Sequence, residues 1–264
     1  MNENQACSRL GMFSLREQVA VVTGAANGIG KECSVLFAQV GAKVIVVDRD
    51  QASAEEVAQS IRSSGAHAWA FCADISREQE VEELFERVSQ REGQLDVLVN
   101  NAGIAIRAPA TELSLQDWQR VLDVNLTGVF LCARTAARHM AKRPCGGAIV
   151  NTASIMGLSG GGIYPNISYQ ATKGAVVNLT RALAVEWAER SIRVNAVAPT
   201  YVKTSFISGL LANPEIVARI NRMTPMGRMA ESDEVAASIL FLASKASSMT
   251  TGHTLPVDGG FLAQ

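Results

Sequence analysis

A tyrosine and a lysine four residues apart, Tyr169 and Lys173 in YQATK, have the types and spacing that most directly indicate chemistry. On a helix, residues four apart share a face and can reach one ligand. A phenol titrates near about 10, too high for a base at neutral pH, but a neighbouring ammonium favours the phenolate. The pair could therefore donate or accept a proton, although a solvent-exposed helix face explains the same spacing.

A serine at the end of an apolar stretch offers a third group for chemistry. Ser154 closes GAIVNTAS, which predicts a buried strand. Open parallel sheets bind ligands at the carboxyl ends of their strands, so this hydroxyl could hold a substrate oxygen there. A serine that caps the following turn explains the same position, and Ser159 and Ser168 are nearby alternatives for the hydroxyl.

Three glycines in VAVVTGAANGIG indicate a phosphate-binding turn between a predicted strand and a predicted helix. Gly24 permits a sharp turn, Gly28 lets backbone N–H groups approach a pyrophosphate, and Gly30 allows the helix to pack closely on the strand. The spacing differs from the commonest dinucleotide fingerprint, so an ordinary tight turn is an alternative.

An acidic residue at the end of the second predicted strand strengthens the dinucleotide interpretation. Asp48 closes KVIVVD about 20 residues beyond Gly28, where a carboxylate would accept hydrogen bonds from a ribose. It would also repel the extra phosphate of NADP, and Asn27 adds no positive charge, so NAD is favoured over NADP. Arg49 could reach a 2′-phosphate, and Asp48 could instead cap the helix that begins with QASAEE.

These groups must be positioned by a chain in which short apolar stretches alternate with longer amphipathic ones. The predicted strands are VAVVTG, KVIVVD, HAWAFCAD, LDVLVNNAG, GAIVNTAS and RVNAVAP, and helices such as QASAEEVAQSIRSS and QATKGAVVNLTRALAVEWAE separate them. This alternation predicts repeated βαβ units. Continuous β-branched strands predict a parallel sheet covered on both faces.

One catalytic domain is predicted over 15–264, because no linker interrupts the alternation. Residues 1–14 are predicted to form a polar arm outside the pattern, of the kind that is disordered or packs on a neighbouring subunit. The stretch 200–227 departs from the pattern and contains Pro214 and Pro225. We interpret it as a substrate lid above the sheet, with an ordinary surface loop as the alternative.

Composition excludes several classes of function. The 24 basic and 25 acidic residues give a net charge of -1, which provides no field for nucleic acid or anionic lipid and favours a small-molecule partner. Five scattered cysteines indicate reduced thiols, and three separated histidines predict no metal site. No signal peptide or membrane span is expected, so we expect a cytoplasmic protein.

Several further motifs occur in a fixed order along the chain. They are TGAANGIG, Asp74 after the third predicted strand, NNAG at Asn100 to Gly103, Asn125 in DVNLTG, Ser154, YQATK, RVNAVAPTYVKT and the terminal VDGG at Val257 to Gly260. From about Val19 to Phe261 the chain therefore resembles the short-chain dehydrogenase/reductase family. The resemblance implies an α/β fold with one Rossmann-type, doubly wound parallel sheet of about seven strands and helices on both faces.

The same resemblance implies catalytic roles at four positions. Tyr169 would act as the acid or base, and Lys173 would bind the nicotinamide ribose and lower the pKa of the tyrosine. Ser154 would orient the substrate oxygen, and Asn125 would support a proton relay through water. Hydride would then move between a substrate carbon and the nicotinamide.

A larger set of residues is expected to hold the cofactor. These are Gly24, Asn27, Gly28, Ile29, Gly30, Asp48, Arg49, Asp74, Ile75, Asn101, Ala102, Gly103, Tyr169, Lys173, Pro199, Val202 and Thr204. Within that set the resemblance places Asp74 at the adenine, Asn101 to Gly103 at the adenosine ribose, and Val202 with Thr204 at the carboxamide.

Two features depart from the family pattern. Thr200 follows Pro199 where the family has glycine. Fifteen positions separate Ser154 from Tyr169, which is longer than the commonest spacing, because of the stretch GLSGGGIYPNIS. That stretch should border the substrate, and Tyr164, Asn166 or Ser168 could contact it.

The substrate suggested by these features is a polyol, a sugar or a similar small hydroxy compound, since the chain resembles the family's polyol dehydrogenases. A 3-oxoacyl-[acyl-carrier-protein] reductase is an alternative, but it should prefer NADPH, which Asp48 disfavours. A hydroxysteroid dehydrogenase is another, with Ile155, Met156, Leu158, Phe206, Ile207, Leu210 and Leu211 available to line an apolar site. A non-catalytic NAD-binding scaffold would not need the catalytic set. The family resemblance also implies a homo-oligomer, most often a tetramer.

Overall fold

The computed structural model describes residues 11–264, in which seven parallel strands form one sheet. The strands are β1 (Val19–Thr23), β2 (Lys43–Asp48), β3 (Ala68–Cys72), β4 (Val97–Asn100), β5 (Gly147–Thr152), β6 (Ile192–Pro199) and β7 (Thr254–Val257). The helices are α1 (Gly28–Gln39), α2 (Gln51–Ser63), α3 (Glu78–Glu92), α4 (Leu115–Leu122), α5 (Val129–Met140), α6 (Ile167–Trp187), α7 (Ser208–Leu211), α8 (Pro214–Met223) and α9 (Ser232–Ala243).

The strand order is β3-β2-β1-β4-β5-β6-β7, so the direction of winding reverses between β1 and β4. At such a reversal the connections leave toward opposite faces, and a crevice opens at the carboxyl ends of the strands. The loops after β1 and β4 therefore border the place where a ligand would bind.

Helices cover both faces of the sheet because alternate residues of each strand are apolar on both sides. Ala20 and Val22 of β1 face a core that includes apolar residues of α1, α2 and α9. Val19 and Val21 face the opposite core, which includes residues of α3, α5 and α6. The predicted Rossmann-type, doubly wound sheet of about seven strands is confirmed.

The stretch 200–227 contains α7 and α8 and packs on a third apolar cluster. That cluster consists of Ile155, Tyr201, Ile207, Leu210, Ile220, Met229 and Phe261. Asn213 caps α8, since its side-chain oxygen accepts hydrogen bonds from the backbone N–H groups of Glu215 and Ile216. The stretch therefore has a fixed base on the domain, and its action as a lid stays a prediction.

The predicted arm 1–14 falls largely outside the described residues, which begin at 11. Gly11–Phe13 form a single 3₁₀ turn, and Leu15 is fully buried. Within 11–264, no helix is long and apolar enough to span a bilayer, and no cluster of three or more His, Cys, Asp and Glu is placed to hold a metal ion.

Candidate active site

A cavity of about 440 Å³ opens at the carboxyl ends of the strands and brings most of the predicted site residues together. Those that line it are Gly24, Asn27, Gly28, Ile29, Asp48, Arg49, Asp74, Ile75, Asn101, Ala102, Gly103, Ser154, Tyr169, Lys173, Pro199, Val202 and Thr204. Gly30 and Asn125 do not line it. Gly30 instead packs against the backbone of Gly24, where a Cβ would collide with the carbonyl.

The turn after β1 leaves no room for side chains on the cavity wall. Gly24 has φ +62°, and a Cβ there would lie 2.6 Å from the Cα of Ala102. At Gly28, which opens α1 with φ +52°, a Cβ would lie 2.9 Å from the Thr204 methyl group. The N-terminus of α1 thus faces the cavity with its backbone N–H groups unobstructed, as an anion site requires.

The loops after β1 and β4 are held together by side chains of both. The Thr23 hydroxyl donates to the Val99 carbonyl at 3.3 Å and accepts the backbone N–H groups of Asn101 and Ala102. The Asn101 amide donates to the carbonyls of Thr23 and Gly24 at 3.2 and 3.0 Å. NNAG therefore fixes the glycine turn in addition to lining the cavity.

Asp48 ends β2 with its carboxylate at the cavity wall. Its oxygens accept the backbone N–H groups of Ala26 and Asp50, each at 3.1 Å. The cap of α2 is Asp50, whose side chain accepts the Ser53 N–H at 3.2 Å, so Asp48 is not the helix cap. The exposed Arg49 lines the same end of the cavity.

Asp74 stands after β3 at the same end of the cavity. Burial alone would raise the pKa of this carboxyl, but hydrogen bonds from the Ser76 hydroxyl and backbone N–H, with the charges of Arg77 and Arg49, bring the pKa below its usual value. Asp74 is therefore ionised at neutral pH, with one oxygen engaged by Ser76.

Ser154, Tyr169 and Lys173 meet at the other end of the cavity. Ser154 follows β5; its hydroxyl accepts the Met156 N–H at 3.1 Å and lies beside the Tyr169 side chain, whose pKa it lowers. It therefore caps the following turn and contacts the tyrosine as well. Ser159 and Ser168 do not line the cavity; Ser168 is fully buried.

Lys173 is buried beneath the tyrosine, so the solvent-exposed alternative for this pair is wrong. The ammonium donates to the Thr152 carbonyl at 2.6 Å and lies 5.4 Å from the centre of the Tyr169 ring. Only 3 % of Lys173 is exposed. The two residues lie on one face of α6, as their spacing predicts.

Burial sets the protonation of both groups. It raises the pKa of Tyr169 to about 12, although the Ser154 hydroxyl opposes this, and it lowers the pKa of Lys173 to about 8. The net direction for Tyr169 is therefore upward, and a lowering of its pKa by Lys173 stays a prediction. The physical reason is that burial destabilises the phenolate by more free energy than Ser154 and Arg107 contribute to stabilising it.

Asn125 lies in a π-helical turn, Asp123–Gly128, that joins α4 to α5. Its amide oxygen accepts the Ile104 N–H at 2.8 Å, and its NH₂ group donates to the Ile104 carbonyl at 2.9 Å and the Thr172 hydroxyl at 3.3 Å. Asn125 is fully buried behind the cavity wall. In this arrangement it positions the loop after β4 and α6, and its part in a water relay stays a prediction.

Several lining residues were not predicted as site residues. Arg107, Gln170 and Tyr201 are among them. Arg107 and Tyr201 lie on the loops that follow β4 and β6, so listing every residue beyond a strand's carboxyl end would have found both. Gln170 adjoins Tyr169, and no signal in the sequence marks it.

The two departures from the family pattern also lie at the cavity. Thr200 lines it, and its hydroxyl oxygen is buried with no hydrogen-bond partner among residues 11–264. Tyr164 and Asn166 line it, and the Asn166 amide oxygen is equally unpartnered within those residues. Ile155, Met156, Phe206 and Ile207 add apolar lining, whereas Leu158, Leu210 and Leu211 do not reach the cavity.

The residues present fit a nicotinamide dinucleotide. The side-chain-free turn at Gly24 and Gly28 would hold a pyrophosphate, and the Asp48 carboxylate would receive a ribose. The Thr200 hydroxyl beside Pro199, which has no hydrogen-bond partner within the described residues, provides a polar group at the opposite end.

Comparison with known proteins identifies the family. A family model described as enoyl-(acyl carrier protein) reductase matches residues 24–262. Cis-4-hydroxycyclohexanecarboxylate dehydrogenase of Sinomonas cyclohexanicum is 46% identical over 94% of this chain and 97% of that protein. The chain belongs to the short-chain dehydrogenase/reductase family. It is an oxidoreductase that acts on secondary alcohols or ketones.

Other family members match over nearly the whole chain. Galactitol 2-dehydrogenase of Rhizobium johnstonii is 41% identical over 94% of this chain and 96% of that protein. The crystal structure of a short-chain type dehydrogenase/reductase from Mycobacterium marinum has a TM-score of 0.93 at 36% identity, covering 97% and 99% of the two chains.

The matched proteins differ in cofactor and in substrate. Crystal structures of some contain NADP and that of another contains NADH, so members of the family similar to this chain bind nicotinamide cofactors. Other matches are named for hydroxysteroid and 3-oxoacyl-[acyl-carrier-protein] substrates.

Proposed function

We propose that this short-chain dehydrogenase/reductase is an NAD(H)-dependent enzyme that interconverts a secondary alcohol and a ketone of a small hydroxy compound, such as a polyol or a sugar. The observation that carries the proposal is the meeting of Ser154, Tyr169 and Lys173 at one end of a cavity whose other end is a phosphate-binding turn. The bound nicotinamide would supply or accept the hydride.

The protein's own groups would handle the proton. Ser154 would orient the substrate oxygen, because its hydroxyl lies beside the Tyr169 hydroxyl. The Tyr169 phenol would donate its proton to that oxygen in ketone reduction and would accept it back in alcohol oxidation. Lys173 would stabilise the phenolate and hold the nicotinamide ribose, and Asn125 would keep the loop after β4 in place.

NAD is proposed over NADP because of the charges at the cofactor end. Asp48 places a carboxylate at the cavity wall, where it would accept ribose hydroxyls and repel a 2′-phosphate. Arg49 lies at the same end and could partly offset that repulsion. The preference for NAD over NADP therefore depends on the Asp48 carboxylate, and it can be measured in a variant that lacks this group.

Polar and apolar residues both line the substrate end, which supports two substrate classes. Tyr164, Asn166 and Thr200 could bind hydroxyl groups, and the names of relatives such as galactitol 2-dehydrogenase support a polyol or similar compound. The apolar lining by Met156 and Phe206 favours a hydroxysteroid as the second candidate. Asp48 disfavours the NADPH-dependent 3-oxoacyl reductase.

A substrate survey tests the proposal directly. NAD reduction would be followed with polyols, sugars, small hydroxy acids, hydroxysteroids and 3-hydroxyacyl thioesters, and ketone reduction would be compared with NADH and NADPH. We expect turnover of a small hydroxy compound with NAD. Turnover only with NADPH would overturn the cofactor assignment, and steroid-only turnover would replace the substrate class.

A homo-oligomer, with a tetramer favoured, is part of the same proposal and rests on the family. Light scattering coupled to size-exclusion chromatography should give a molar mass of about four times the 28.1 kDa of one chain. A monomer mass would contradict it.

A further inference from the structure

One of the two cations at the substrate end of the cavity, Arg107, has no acidic partner within residues 11–264. Arg107 lies on the loop after β4, lines the cavity and is exposed. Its guanidinium carbon stands 4.9 Å from the centre of the Tyr164 ring, over the ring face. Within residues 11–264 it forms no ion pair and no hydrogen bond, whereas most arginines near it in sequence, such as Arg120 and Arg134, are paired with carboxylates.

The charges of the cavity are divided between its two ends. Its acidic lining residues are Asp48 and Asp74, which follow β2 and β3 and lie at the proposed adenosine end. The substrate end contributes Arg107 and Lys173, together with neutral polar groups. A ligand there meets positive charge that the lining residues do not neutralise.

Arg107 lines the same cavity as Ser154 and Tyr169. Its charge acts on the Tyr169 and Tyr201 hydroxyls, lowering the pKa of each against the larger effect of burial. Tyr164, on which it stacks, also lines the cavity. A molecule whose hydroxyl lay between Ser154 and Tyr169 could therefore extend toward the guanidinium.

We propose that the substrate carries a carboxylate and that Arg107 binds it, so that the enzyme acts on a hydroxy acid or its keto acid. A guanidinium offers a planar pair of donors that matches a carboxylate, and stacking on the Tyr164 ring restricts its orientation. This inference rests on the proposed function, since it places the hydroxyl at Tyr169. It chooses the acid over an uncharged polyol or steroid.

Matched substrate pairs test this specificity. Hydroxycycloalkane carboxylic acids and aldonic acids would each be compared with the corresponding primary carboxamide, which keeps the size and removes the charge. The wild-type enzyme would be measured beside Arg107→Met, Arg107→Lys and Arg219→Met. Arg219 is a matched control because it is exposed and does not line the cavity, yet its charge also acts on Tyr201.

We expect the wild-type enzyme to prefer the acid over the amide by about 10- to 100-fold in kcat/KM, mainly through KM. Arg107→Met should abolish that preference by lowering kcat/KM much more for the acid than for the amide, and Arg107→Lys should restore part of it. Equal losses for acid and amide would show that Arg107 only supports Tyr164. If Arg219→Met reduced the preference for the acid as much as Arg107→Met does, the preference would arise from the overall positive charge and not from a contact with Arg107. Either result overturns the proposal.

A binding measurement decides the inference even if no alcohol in the survey is oxidised. Benzoate and benzamide would be titrated calorimetrically into the protein saturated with NADH. Benzoate should bind to the wild type and to Arg219→Met at least about tenfold more tightly than benzamide does. The two probes should bind to Arg107→Met with equal affinity. Binding of benzoate without turnover of any alcohol would refute the proposed function alone, whereas equal binding of both probes to wild type would refute the carboxylate site.

Discussion

Burial is the main influence on the two groups that would move the proton. At neutral pH Tyr169 is a neutral phenol, since its pKa is raised to about 12, and it is ready to donate a proton in ketone reduction. Alcohol oxidation needs the phenolate, which the fixed charge of a cofactor and of Lys173 would have to stabilise. The oxidative rate should therefore rise with pH more steeply than the reductive rate.

The buried Lys173 should make the folded protein less stable at neutral pH. Its folded pKa, about 8, lies below its unfolded value of 10.5, so the unfolded state binds more protons between those values. The penalty is present in full below about pH 8 and disappears as pH rises to 10.5. The full effect is about 3 kcal/mol, less any stabilisation by the hydrogen bond to Thr152.

Lys173→Met should thus raise the free energy of unfolding at pH 7, and its advantage over wild type should shrink from pH 8 to 10.5. Urea unfolding across that range measures the difference, and Lys245→Met, at an exposed position, should run parallel to wild type. An advantage of Lys173→Met that does not change with pH would mean that the lysine is not buried as a charge.

The Asp48 carboxylate should decide between the two nicotinamide cofactors. Asp48→Ser removes the charge that would repel a 2′-phosphate, while Arg49 remains to attract it. We expect the NADP-to-NAD ratio of kcat/KM to rise by about tenfold or more. Asp50→Asn is the matched control, since Asp50 caps α2 and does not line the cavity. An unchanged ratio in Asp48→Ser would remove the basis for assigning NAD.

At the scale of the elements, the turn after β5 is held against α6 by a contact that only glycine permits. A Cβ at Gly157 would lie 2.5 Å from the Lys173 carbonyl carbon and 2.6 Å from its oxygen, and backbone atoms cannot move aside cheaply. This contact sets the distance between Ser154, at the start of the turn, and Tyr169, in the first turn of α6.

Gly157→Ala should therefore push the turn from the helix, lower stability by about 1–3 kcal/mol and reduce kcat. Gly160→Ala is the matched control, because no atom lies within 4 Å of its added Cβ and its φ is not positive. Thermal unfolding and turnover measure both variants. A folded Gly157→Ala protein with the kcat of the wild type would show that catalysis does not depend on the distance between Ser154 and Tyr169 that this contact sets.

The elements were predictable from local patterns, whereas the contacts between them were not. Apolar stretches such as KVIVVD predict buried strands because both faces of a parallel sheet are covered. The π-helical turn at Asn125 has no such signature, since it depends on hydrogen bonds to Ile104 and Thr172 from other elements. The orientation of Arg107 over Tyr164 likewise depends on two loops distant in sequence.

At the scale of the whole molecule, the strand order places every part of the site at one edge. The winding reverses between β1 and β4, so the glycine turn, the loop with Arg107 and the turn with Ser154 converge there. Tyr169 and Lys173 alone did not distinguish a catalytic pair from an exposed helix face. The fold does so, because it buries Lys173 beneath Ser154 and Tyr169.

The most direct test of proton transfer by Tyr169 is the turnover of Tyr169→Phe, measured together with its affinity for NADH by fluorescence titration. The substitution removes the hydroxyl and keeps the ring that lies 6.1 Å from Phe206. We predict a loss of kcat of about 100-fold or more, with the dissociation constant for NADH within about threefold of wild type. Turnover within a few fold of wild type would contradict the account.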